Sequence, residues 1–438
     1  MNEAFLSYVW LYRMYATQAV LSCGRVFSVD SPGMLNRNGG PDFLNARIRI
    51  DGTLWVGHVE IHVKSSDWYL HRHHDDRAYD TVVLHVVFHH DREVTFPDGG
   101  TLPVLALEGY LDPNLYTRYL QWMADPGDIA CAALLRMTNL TMPSQWLIGL
   151  GVQRMMRKSR DLGYLMDRLS SDWQQMCYVS MCRSFGNKVN DDVFEMLALK
   201  TPYRLVHKYS NDPLMLEALL FGQSGLLELH AQETENAYVN ALADAWSHIR
   251  YQHAMDPIPP HLWRFLRTRP ANFPPIRIAQ LACVLQRFIH VNLLDEQELN
   301  NWHQQLPQLE ITSYWQEHFH FGRPGKRLPQ KIGAETADRI LINGIIPPLL
   351  RYGEIYKQHD FISNLVDRLA EMPAENNRII RQWKQLNIHP GSALESQGAA
   401  ELYNEYCRVR RCLECRFGQE VLKTGCQPAN HQQTLLCE

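Results

Sequence analysis

Asp42, Glu60, His62 and Lys64 are residues whose types and spacing could do chemistry. Side chains two apart on a β-strand point the same way, so Glu60, His62 and Lys64 would form one row on one face of a sheet. Asp42 follows Pro41 at the mouth of the preceding segment, within reach of that row if the two segments pair. Two carboxylates held close together bind Mg²⁺ or Mn²⁺, hard ions that prefer oxygen ligands and keep waters available as nucleophile. A neighbouring base or cation, His62 or Lys64, would then orient that water or offset charge building up at a phosphate.

A second group follows: His71, His73, His74, Asp75, Asp76 and Tyr79, with His85 further on. Imidazoles beside acids suit a transition metal as well as Mg²⁺. The same histidines also fit a solvated polar loop, with His85 as a core residue bonded to backbone. In a helix over residues 73–80, Asp76 and Tyr79 would share a face and could touch substrate. Trp68 reads as a core residue or as a platform for stacking a base.

Of the ten cysteines, Cys407-x4-Cys412-x2-Cys415 and the nearby Cys426 have the compactness of a Zn²⁺ or iron–sulfur site. Arg408, Arg410, Arg411 and Arg416 interleave with them and would make a local basic patch. Arg277 and Gln280 follow Pro274-Pro275 in the first turns of a helix, a setting for phosphate or for an interdomain ion pair.

The elements that position these residues follow from periodicity. Residues 3–22 carry apolar side chains at helical spacing. A short strand at 26–29 precedes two alternating segments, 43–50 and 54–63, joined by Asp51-Gly52, a strong hairpin signal. The apolar run 82–88 reads as a buried strand, with shorter strands at 93–96 and 102–107. From about residue 125 the period becomes 3.6, with helical segments at 145–160, 191–199, 236–253, 276–290 and 361–372, and a last helix over 395–411 running into the cysteines. No fixed-length repeat supports a solenoid. The expected organisation is an α+β domain at 1–125, a large all-helical domain at 126–400 and a cysteine-cluster segment at 401–438.

Composition narrows the classes. With 45% hydrophobic and 21% charged residues, the chain can build sizeable cores and is not disordered overall. A net charge of −4 provides no global basic field, so any nucleic-acid surface must be local. The N-terminus lacks a basic leader, and Arg13 interrupts its apolar stretch, which predicts neither signal peptide nor membrane span and points to a reducing cytoplasm.

Pro41-Asp42 followed by Glu60-Ile61-His62, behind an N-terminal helix, resembles the PD-(D/E)XK nuclease superfamily over the first quarter of the chain. The resemblance implies a mixed sheet with flanking helices, Asp42 and Glu60 as ligands of a divalent metal, and His62 in the place usually held by lysine. Histidine supplies less fixed positive charge than lysine but can act as a base or an added ligand; Lys64 would assist at the phosphate. Some superfamily members also carry a cysteine-ligated iron–sulfur cluster beside the nuclease fold. The string GPDFLNARIRIDGTLWVGHVEIHVKSSDWYLHRHHDDRAYDTVVLHVV is similar to an uncharacterised bacterial family, domain of unknown function 2851, a likeness expected to extend over the whole chain and its C-terminal cysteines. The expected function is metal-dependent phosphodiester hydrolysis on nucleic acid, most plausibly DNA, with the helical domain helping to hold substrate and with Asp76, Tyr79, Arg277, Arg410 and Arg411 as substrate contacts. A non-catalytic nucleic-acid-binding or scaffold protein with a nuclease-like fold, and a histidine-rich metalloenzyme on another substrate, are the competing readings.

Overall fold

In a computed structural model, the described residues run from 1 to 424, except Arg37, 97–98, 138–141, 231–235, Arg267 and 327–329. The chain divides into two compact units, one made of residues 1–140 together with 403–438, the other of residues 141–402. The cysteine segment is therefore part of the N-terminal unit rather than a third unit, and the helical unit is inserted between the two pieces of the first.

The first unit opens with α1 (Glu3–Leu11), capped by the Asn2 side chain, which accepts from Phe5 N. The helix is half the expected length because Arg13 adopts φ +52° and turns the chain, donating to the Asp30 carbonyl. Six strands follow: β1 (Phe27–Ser31), β2 (Met34–Leu35), β3 (Phe43–Ile50), β4 (Thr53–Lys64), β5 (Val82–His89) and β6 (Val104–Ala106). The sheet is mixed, in the order β1-β3-β4-β5-β6 with β2 also on β3; β3 and β4 are antiparallel, and β4, β5 and β6 parallel. Asp51 at φ +48° and Gly52 at φ +81° close the β3–β4 hairpin, with Ile50 opposite Thr53, as the Asp-Gly signal predicts. Along β3 buried and exposed residues alternate, whereas β5, flanked by parallel neighbours, is buried nearly throughout. The expected strand at 93–96 is reduced to an isolated bridge between Thr95 and Thr101. α1 packs on β4 and β5; its Phe5, Val9 and Trp10 are buried, as are Phe43, Ile48, Val59 and Val86 of the sheet. α2 (Asp67–Leu70) lies between β4 and β5, and α3 (Pro113–Ala124) and α4 (Ala132–Met137) follow β6.

The second unit is helical, from α5 (Ser144–Asp161) to the helix Ala393–Glu401. Its long segments match the 3.6-residue period: Asp191–Lys200, Ala237–His253, Pro274–Phe288 and His359–Glu371. α5 and Ala393–Glu401 cross at two glycines; a Cβ on Gly151 would overlap the Leu394 carbonyl, and one on Gly398 the Leu147 carbonyl. Beside this crossing, Lys158 Nζ donates to Asn343 Oδ1 (2.6 Å) and Gln397 Oε1 (2.7 Å), while Glu401 accepts from Arg154 and Arg157. The expected single last helix is broken: Ala393–Glu401 continues as a wider π-turn, Leu402–Cys407, and a separate helix, Arg416–Thr424, follows. Among the described residues no helix is long and apolar enough to cross a membrane.

Candidate functional site

Asp42 and Glu60 meet at the start of β3. Asp42 N donates to Glu60 Oε2 (3.1 Å), and Ile61 N donates to Asp42 Oδ2 (3.1 Å), so each carboxylate is held by the backbone of the other's segment. This interlock arises locally. The β3–β4 register shifts between Phe43 and Ala46, where Asn45 takes φ +57° and donates to His58 Nδ1, a bulge that sets how the start of β3 approaches β4. Bulges of this kind re-aim side chains beside functional sites.

The parallel β4–β5 register pairs Glu60 with His85, so Glu60, His62 and His85 project from the same face. His62 Nδ1 lies 2.9 Å from His85 Nε2, and His62 Nε2 lies 3.0 Å from His71 Nδ1. Beyond β4, Asp67 caps the turn through Lys64 N, and Arg72 takes φ +62° between His71 and His73. That left-handed residue folds the histidine run back over the strand. Nitrogens of His62, His71 and His73 all lie within 4.8 Å of one another. Glu60 Oε1 lies 3.2 Å from His73 Nε2 and 3.5 Å from His62 Nε2. Tyr79 stacks on His73 at 3.8 Å between ring centroids, and the buried Trp68 packs edge-on against His73 and Tyr79, which makes Trp68 a core residue here.

The electrostatics of the site suit a bound cation. Burial first, and Glu60 second, push the Asp42 carboxyl up to about 7, because two buried carboxylates resist ionising together. His62 is driven down to about 2 by burial and then by His85, His73 and His71. Burial likewise lowers His85 to about 3. Neutral imidazoles are the form that ligates metal. His85 Nδ1 is buried without a hydrogen-bond partner, and such atoms ordinarily find one. His62, His71 and His73, with Glu60 and Asp42, thus offer a nitrogen and oxygen donor set that fits Mn²⁺ or Zn²⁺ better than the all-oxygen preference of Mg²⁺.

Glu3, which the sequence reading did not single out, is exposed on α1 and feels the charges of this site. It opens α1, and its carboxyl is raised by burial, with Asp67 and Glu60 adding to that shift and His71 and His73 opposing it. Its only signal was an acid at a helix start, which is common. Other expected residues lie elsewhere or differently. Lys64 ends β4 exposed, beyond the buried part of the row. Residues 73–80 form two separate 3₁₀ turns, His73–Asp75 and Arg77–Tyr79, so Asp76 is an exposed cap donated to by Ala78 N, and buried Tyr79 supports His73. Arg277 is buried in the helical unit and bonds Gln280 and Asn272, which removes it as a surface phosphate contact. Arg410 donates to the Asp125 and Gly127 carbonyls, and Arg411 pairs with Glu414 over the Tyr406 ring, so the expected basic patch is largely engaged within its own unit. Cys407, Cys412 and Cys415 are buried free thiols; Cys426 lies outside the described residues.

The family model described as "Protein of unknown function (DUF2851)" matches residues 3–378. The match ends before Cys407, so the C-terminal cysteines fall outside it, contrary to the expectation from the sequence. No curated protein and no solved structure matches the chain.

Proposed function

Because the chain belongs to this family of unknown function, we propose its activity from the site itself: divalent-metal-dependent phosphodiester hydrolysis on nucleic acid, with DNA as the preferred substrate. The observation that carries the proposal is the interlocked Asp42–Glu60 pair facing a shell of His62, His71 and His73. This is the arrangement the PD-(D/E)XK resemblance implies for its two acids, with imidazoles added. A divalent ion held by these residues would supply Lewis acidity toward a phosphate oxygen and toward water. The protein's part is positional. His85 fixes the orientation of His62 through the 2.9 Å contact, the backbone N–H of Ile61 holds Asp42, and Trp68 and Tyr79 wall off one side of His73.

The test is hydrolysis of single- and double-stranded DNA and RNA with Mg²⁺, Mn²⁺ or Zn²⁺, wild type against Glu60→Gln. Cleavage with Mn²⁺ or Zn²⁺ that falls at least 100-fold in the variant is expected. No cleavage of any substrate with any of the three ions would overturn it. The internal engagement of Arg277, Arg410 and Arg411 favours a second reading, a metal-binding protein without nuclease activity that retains a nuclease-like sheet.

A further inference from the structure

In the helical unit, the helices Asp191–Lys200, Tyr203–Tyr209, Pro213–Gln223 and Ala237–His253 meet at a groove of about 550 Å³. Such a volume is that of a small-molecule site, which usually measures about 300–1,000 Å³. Lys200, Arg204, Lys208 and His253 bring basic side chains to the groove, Asp256 brings one acid, and Leu205 and Met255 add apolar surface. The stretch that carries Asp256 is fixed in place. Ala254, at φ +49°, turns the chain at the end of Ala237–His253. The Asp256 carbonyl then accepts from Lys200 Nζ (2.9 Å) and Gln223 Nε2 (2.6 Å), and Ile258 N donates to the Gln223 carbonyl (2.8 Å). Lys200 Nζ also pairs with Asp256 Oδ2 at 3.0 Å, so this lysine and this acid cancel.

Arg204 and Lys208 are left without a counter-charge. Tyr203–Tyr209 holds no acid, and among the described residues no carboxylate pairs with either side chain; Lys208 Nζ instead lies 5.0 Å over the Tyr209 ring. Helix physics does not account for this pair. Like charges four residues apart share a face and destabilise a helix. Arg204 stands in the first turn, at the positive end of the helix dipole, where a cation is disfavoured. Lys200 and His253, by contrast, end their helices, where a cation is favoured without any ligand. A further polar group lacks its partner. Gln223 is 1% exposed, and with its Nε2 on the Asp256 carbonyl, its Oε1 meets no donor, whereas buried amide oxygens ordinarily have one.

These features select a ligand class. A phosphate monoester carries a charge of about −1.5 to −2 at neutral pH, which matches the two unpaired cations, and the planar guanidinium of Arg204 suits phosphate oxygens. We infer that the groove binds a nucleoside monophosphate, its phosphate on Arg204 and Lys208, its ring on Leu205 and Met255, and a sugar hydroxyl donating to Gln223 Oε1. Inorganic phosphate leaves the apolar surface and Gln223 unused. A phosphodiester, with a single charge per phosphate, leaves one cation unmatched. The groove uses none of the residues of the proposed hydrolysis, so the two readings stand or fall separately.

The test is isothermal titration of the full-length protein in a chelating buffer, so that no ion at Glu60 takes part. The probes are the ribonucleoside 5′-monophosphates, their nucleosides, inorganic phosphate and a single-stranded oligonucleotide without terminal phosphates. One-to-one binding of a monophosphate is expected with a dissociation constant below about 1 mM, at least about tenfold tighter than its nucleoside or inorganic phosphate. Arg204→Gln combined with Lys208→Gln, both at exposed positions, should keep the wild-type melting temperature and weaken binding by about tenfold or more. Arg381→Gln combined with Lys384→Gln, exposed and outside the groove, removes the same charge and should leave the affinity unchanged. No monophosphate binding below about 1 mM, inorganic phosphate or the oligonucleotide binding as tightly as the monophosphate, or equal affinities in the two double variants would each overturn the inference.

Discussion

Replacing His85 with leucine tests whether the histidine shell is a metal site or a packed polar core. His85 is fully buried; its Nε2 contacts His62 Nδ1 at 2.9 Å and its Nδ1 has no partner. In the metal-free protein, His85→Leu removes one orphaned nitrogen but leaves His62 Nδ1 orphaned in its place. The net loss is then one hydrogen bond, about 1 kcal/mol, or a drop of roughly 2–4 °C in the melting temperature of a unit of this size. Metal affinity should respond more. Removing the group that orients a ligating imidazole costs about 10–100-fold in affinity, or about 1.4–2.7 kcal/mol. At Mn²⁺ equal to a hundred times the wild-type dissociation constant, binding stabilises the wild type by about 2.7 kcal/mol. A thirtyfold weaker variant would gain only about 0.9 kcal/mol under the same conditions. Isothermal titration with Mn²⁺ and Zn²⁺, alongside melting curves with and without ion, reads both numbers. Unchanged affinity in a folded variant, or no binding by wild type, would refute the assignment of His62 as a ligand held by His85.

Two further outcomes concern the helical unit. Burial lowers the Lys158 ammonium from 10.5 to about 7, so between those values the unfolded chain binds a proton that the native state does not. Stability should therefore rise as pH rises from about 7 to 10, by at most about 4 kcal/mol and less where water reaches the half-buried side chain. Urea unfolding of Lys158→Met should show a flatter pH profile, and equal slopes in both proteins would contradict the burial argument. Gly398→Ala should cost about 3 kcal/mol or more, because its Cβ meets the Leu147 carbonyl rather than a movable side-chain end; a loss under 1 kcal/mol would mean the helices separate freely.

The hairpin and the long helices were legible because their signals are local. Asp51-Gly52 dictates its own turn, and segments such as 145–160 and 236–253 state a 3.6-residue period, the second capped by Asn236. The pairing of Asp42 with Glu60 was legible for the same reason, since it follows from the hairpin register. What failed were inferences about which side chains face water. Arg277 sits in a window that reads as a helix N-terminus open to phosphate, yet tertiary packing buries it against Gln280 and Asn272. The residues after Trp68 look helical by composition, but Arg72 and Asp76 interrupt them with left-handed and extended backbone. Cys131 is a lone cysteine in the sequence; only the return of the chain to the first unit after residue 402 brings Cys407, Cys412 and Cys415 around one recess with it.

That return also has a consequence for biosynthesis. Residues 1–140 leave the ribosome long before residues 403–438, and at about 5–20 residues per second the delay is some tens of seconds. Throughout it, the apolar residues of α3 and the Cys131 recess lack the helix Arg416–Thr424 and the turn that carries Cys407 to Cys415. A nascent chain in this state offers exposed hydrophobic surface to holding chaperones and to proteases. Premature termination anywhere in the inserted unit would leave such a half-built first unit, open to the same chaperones and proteases.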